Sequence, residues 1–78
     1  MFEVVAILDG SEMELKEIFG VDDLLKKTVG SPSSAGTELM SRQRDYSWEQ
    51  DDFRAAVAMK RKLEGLQNER LTVTVRED

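Results

Sequence analysis

Ser47-Trp48-Glu49-Gln50-Asp51-Asp52-Phe53-Arg54-Ala55-Ala56-Val57-Ala58-Met59-Lys60-Arg61-Lys62-Leu63-Glu64-Gly65-Leu66 and the run Leu71-Thr72-Val73-Thr74-Val75 that follows it decide the fold class. Ser47 with Gln50 three residues on has the form of a capping box, a helix start in which two side chains satisfy two orphan amide donors. Turned by about 100° per residue, Trp48, Ala55, Ala56, Met59, Leu63 and Leu66 fall on one stripe, with Arg54, Ala58 and Arg61 opposite. The spacing therefore predicts a helix from Asp51 to Leu66. Its alanines allow close approach to a sheet. After the short connection at Asn68-Glu69, residues 71 to 76 alternate as a strand does, with Leu71, Val73 and Val75 towards the core.

Working back, Phe2 to Leu8 reads as a first strand, since Val4, Val5 and Ile7 are β-branched and Asp9-Gly10 supplies a turn. Its apolar residues fall on both faces. Ser11, with Glu14 three positions later, has the form of a second capping box, and Leu15, Ile18 and Phe19 make an apolar stripe. Gly20 is then expected to end that helix. Asp22, Asp23, Lys26 and Lys27 suit the two ends of a second short piece over Val21 to Thr28, the alternative being a single kinked helix.

Gly30-Ser31-Pro32-Ser33-Ser34-Ala35-Gly36 favours an exposed, flexible loop. Thr37 stands where a phosphate-binding loop would need lysine, so a nucleotide cradle is not expected there. Between Thr37 and Tyr46 the residues alternate weakly, with Met40, Arg42, Arg44 and Tyr46 on one face, and suggest an edge strand. Joined through the helix to the last strand by a right-handed crossover, it would run parallel to that strand.

The expected architecture is one α+β domain over residues 1–78. It is a two-layer β-α(α)-β-α-β unit with a mixed two- or three-stranded sheet and helices on one face. At 78 residues a chain of this kind buries about 60–65% of its unfolded surface and has a stability on the order of 5 kcal/mol.

Composition excludes most chemistry. There is no cysteine and no histidine, so a disulfide, a thiolate nucleophile, an imidazole base and the usual zinc ligands are all missing. The carboxylates that could form a hydrolytic pair (Asp9, Glu12, Asp22, Asp23, Asp51, Asp52) all stand near expected helix starts, where the helix field alone favours acids. Asp9-Gly10-Ser11-Glu12 offers too few oxygens for a calcium loop. Hence no enzyme activity, cofactor or metal is expected. The apolar run from Val4 to Leu8 is too short to span a bilayer, and Glu3 is an acid where a signal peptide needs positive charge, so a cytoplasmic, non-membrane protein is expected.

The net charge of −5 lies wholly in residues 1–39, where eight acids face three lysines, while residues 40–78 balance. Two partner-binding groups stand out against this. Arg42, Arg44 and Tyr46 combine residue types enriched where proteins bind one another. Val5 and Ile7 are left on the sheet face away from the helices, with Thr72 and Thr74, and call for a cover: a second subunit, giving a homodimer, or a partner protein, the competing explanation being that the loop from Gly30 to Thr37, or a helix, folds over them. The function expected is a small non-enzymatic protein acting by protein–protein interaction, as an adaptor or inhibitor. By analogy alone, a phage or mobile-element inhibitor of a host defence or nucleic-acid enzyme has this size and acidity. The alternative is an RNA- or DNA-associated accessory domain using Arg42, Arg44 and Tyr46, which the acidic charge opposes.

Overall fold

The computed structural model describes residues 1–38 and 40–77. Six elements follow in order: β1 (Phe2–Asp9), α1 (Leu15–Val29), β2 (Ser34–Glu38), β3 (Gln43–Gln50), α2 (Phe53–Glu64) and β4 (Leu71–Glu77). The strands form one open sheet in the order β2-β3-β1-β4, each antiparallel to its neighbours. Both helices contribute to a core on one face. The result is a two-layer α+β domain with split β-α-β, or ferredoxin-like, connectivity.

Four antiparallel strands replace the two or three of the expected mixed sheet. Strands β3 and β4 do point the same way, but each is antiparallel to β1, which lies between them. The central place of β1 follows from its composition. Val4, Ala6 and Leu8 are fully buried on the helix side, against Tyr46 and Trp48 on one flank and Val73 on the other.

The expected start of the last helix is wrong. Ser47 to Gln50 are the end of β3, and α2 begins at Phe53. Trp48 explains why: it lies opposite Val4, stacks on Tyr46 at 6.0 Å, and donates its indole N–H to the Gly30 carbonyl at 3.0 Å. Those long-range contacts outweigh a local capping pattern. Asp52 takes over the cap, its carboxylate accepting from the Arg54 N–H at 3.1 Å. Asp52→Ala is therefore expected to cost about 1 kcal/mol. Ser47→Ala, which loses only the exposed hydroxyl contact with Ser34 at 2.6 Å, should cost less than about 0.5 kcal/mol. Urea melts of the two variants check the ranking.

Ser11 likewise caps nothing. Its N–H donates to the Asp9 carboxylate at 3.1 Å, within the turn that follows β1, and the cap falls at Glu14, whose N–H donates to Glu17 at 3.3 Å. Gly10 in that turn is buried, and a Cβ there would meet the Arg42 carbonyl oxygen at 2.5 Å. This close approach locks the end of β1 to the turn between β2 and β3.

Helix α1 runs unbroken through Gly20. Its sheet side is Ile18, Asp22, Leu25 and Val29, spaced four, three and four, so one face stays inward over the whole length. Leu15 and Phe19, expected in the core stripe, are 64% and 57% exposed. Gly30, at φ 90, ends the helix with its N–H on the Lys26 carbonyl at 2.9 Å. The loop expected over 30–36 is shorter than read, since Ser34, Ala35 and Gly36 pair with β3. The weak strand expected over 37–46 is divided by a turn in which Arg42 has φ 55. Its second part, β3, is an interior strand and not an edge.

Candidate functional site

Strand register arranges the face away from the helices in four rows. The outer rows are Glu38, Gln43, Asp9 at one end of the strands and Glu49, Glu3, Arg76 at the other. Between them lie Gly36, Asp45, Ile7, Thr72 and Ser34, Ser47, Val5, Thr74. The face thus has an apolar strip, Val5 and Ile7 flanked by threonine methyls, framed by five carboxylates and one arginine. Arg76 is paired with Glu3. Hydrogen bonds from Ser11 and, to a lesser extent, the charge of Arg70 hold the Asp9 carboxyl below the usual aspartate value despite a small opposing effect of desolvation. Among the described residues no helix covers this face. The placement of Val5, Ile7, Thr72 and Thr74 agrees with the strand alternation in the sequence.

The Arg42, Arg44, Tyr46 group is divided. Arg42 sits in the β2–β3 turn and donates to the Met13 carbonyl at 3.2 Å, which ties that turn to the entry of α1. Arg44 and Tyr46 share the other face of the sheet, under α1. The Arg44 guanidinium donates to Asp22 at 2.9 Å and to the Thr37 hydroxyl at 2.5 Å, and lies 5.2 Å from the centre of the Tyr46 ring. The Tyr46 hydroxyl also donates to the Asp22 carboxylate. Tyr46 is only 2% exposed.

Electrostatics follow from this packing. Burial, then the hydrogen bond and charge of Asp22, push the Tyr46 hydroxyl well above its ordinary value of 10.0, with Arg44 offsetting part of the effect. For Arg44, desolvation opposes the charge, but the hydrogen bond and charge of Asp22 outweigh it and hold the guanidinium more firmly protonated. A cleft of about 380 Å³ opens beside the three residues, with Lys26, Ser31 and Ser33 on its rim. Its inner groups are committed to one another: Tyr46 gives its only hydroxyl proton to Asp22, and Asp22 also accepts from Arg44. Together they join α1 to the sheet.

Two acids in succession resemble a helix start, which hides in the sequence the role of Asp22 as the partner of Arg44 and Tyr46. The signal that finds it is the spacing from Ile18 to Val29, which puts Asp22 on the inward face. Phe53 is a further exposed aromatic, 54% exposed and packed at 5.3 Å against Phe2. Among the described residues no three carboxylates converge as metal ligands would, and no helix is long and apolar enough to cross a membrane. Comparison with protein-family models, with curated proteins and with solved structures finds no match for this chain.

Proposed function

We propose that the protein is a non-enzymatic docking module, of the adaptor or inhibitor kind, that binds another protein through the uncovered face of its sheet. The observation that carries this reading is the strip of Val5 and Ile7, both half-buried, on a face that no element of the described chain covers. An apolar strip ringed by charge is the usual anatomy of a protein-binding patch.

The nucleic-acid reading loses its support from the same geometry. Tyr46 is buried under α1, Arg44 is bound to Asp22, and the open face presents carboxylates and no aromatic ring on which a base could stack. Arg42 alone of the three is exposed.

Affinity capture from the source cells, with the purified domain as bait, tests the proposal. The bound protein should be lost with Val5→Lys or Ile7→Lys and retained with Arg42→Ala, and single-stranded oligonucleotides should not bind at physiological salt. Fluorescence melts on Trp48 establish that each bait is folded. Capture that survives both lysine substitutions, or salt-dependent oligonucleotide binding, overturns it.

A further inference from the structure

Resting on the docking reading above, the charge pattern of the open face says what kind of surface fits it. We infer that this face receives a basic amphipathic helix of a partner protein. Its apolar stripe would lie on Val5 and Ile7, with lysines or arginines over the carboxylates at both ends of the strands.

Three features lead there. The first is shape. The strip occupies β1 and β4, two strands about 10 Å across, which is the width of one helix with its side chains. The second is length. The acidic rows, Glu38 and Asp9 at one end and Glu49 beside the Glu3–Arg76 pair at the other, are six residues apart along the strands, roughly 20 Å, or about thirteen residues of helix. A helix lying along the strands can therefore rest its centre on the apolar strip while its cations reach both rows. The third is sign. Asp45 on β3 stands beside Ile7 at the edge of the strip, so the charge flanks the apolar centre as well as closing its ends.

The same pattern argues against the other occupants. A second copy applied face to face would set five carboxylates and one arginine against the same set, a net like charge that opposes association. A phosphate backbone meets the same repulsion.

The test uses synthetic helices of leucine and lysine, about eighteen residues long, with leucines at helical spacing, added to the isotope-labelled domain. Amide shifts are expected at Val5, Ile7, Thr72 and Thr74. Affinity should fall about tenfold or more between low and high salt, and by a similar factor in the double variant Asp45→Lys/Glu49→Lys. Both positions are exposed, so a Trp48 melt close to wild type is expected and serves as the folding control. A leucine–glutamate helix of the same pattern should not bind. The same composition with leucine and lysine strictly alternating should bind at least about tenfold more weakly, since it lacks the helical stripe.

Equal binding of the glutamate helix at Val5 and Ile7, equal binding of the alternating peptide, or indifference to the charge reversals overturns the basic-helix inference while leaving the docking face in place. So does a homodimer in light scattering that Val5→Lys or Ile7→Lys converts to a folded monomer. Shifts confined to α1, or a monomer perturbed by no peptide, likewise overturn the basic-helix inference, and the docking reading then stands or falls by the capture experiment.

Discussion

Tyr46→Ala is expected to lower the stability of the domain by about 3–5 kcal/mol, the cost of removing a buried aromatic ring. That is comparable to the whole stability of a domain this small, on the order of 5 kcal/mol. A large part of the population should then be unfolded without denaturant. The ring is 2% exposed, lies against Ala6 in the register and stacks on Trp48 at 6.0 Å, so its loss leaves a cavity beneath α1 that the short strands cannot collapse to fill. Tyr46→Phe keeps the ring and loses only the bond to Asp22, for about 1–2 kcal/mol. Because the chain has a single tryptophan, urea melts followed by Trp48 fluorescence report on the neighbouring ring directly. An unchanged melt for Tyr46→Ala would show that β3 presents its other face to the core.

Tyr46 also imposes a pH limit. Its hydroxyl is harder to ionise in the folded state than in the unfolded chain, where it ionises near 10.0. The stabilisation is fully present below that pH. Above it the unfolded state gives up its proton while the folded state keeps one, so the unfolded state binds fewer protons and stability falls as pH rises towards the folded value. The chain has one tyrosine, so phenolate absorbance follows this group alone, and Tyr46→Phe should remove its contribution to the alkaline slope.

The sequence is most legible where a face is set by local alternation. Val4, Ala6 and Leu8 separate from Val5 and Ile7 because neighbouring strand residues point to opposite sides, and Leu71, Val73 and Val75 separate from Thr72 and Thr74 for the same reason. It is least legible where local and distant contacts compete. Ser47 to Gln50 satisfy a helix-start pattern, yet the pairing of Trp48 with Val4 and its bond to Gly30 hold them in β3. Arg44 and Tyr46 do share a strand face, as their spacing says. Which face could not be read without knowing that β3 lies inside the sheet and that Asp22 waits on α1 for both of them. The open face was legible in its apolar residues but not in its charge: Glu3, Asp9, Glu38, Asp45 and Glu49 come together only through the register of three strands.

Asp22→Ala should be the most damaging single loss of charge. The carboxylate accepts from Arg44 and Tyr46, and the two side chains of the ion pair are 13% and 20% exposed for Asp22 and Arg44. Removing it leaves a largely buried guanidinium without its counter-charge and a phenol without its acceptor. A fully buried pair broken in this way costs about 3–5 kcal/mol, and the residual exposure here brings the expectation to about 2–3 kcal/mol. The neighbouring Asp23→Ala is the control: exposed on the outer side of α1, it should change stability by less than about 0.5 kcal/mol. A cycle with Arg44→Met separates the causes. Because much of the penalty is the orphaned guanidinium, the double variant Asp22→Ala/Arg44→Met should cost less than the sum of the singles, with a coupling of about 1–2 kcal/mol. Strict additivity would mean that Asp22 and Arg44 do not act together. Equal effects at Asp22 and Asp23 would mean that α1 is rotated about its axis, with its inward stripe no longer running from Ile18 through Asp22 to Val29.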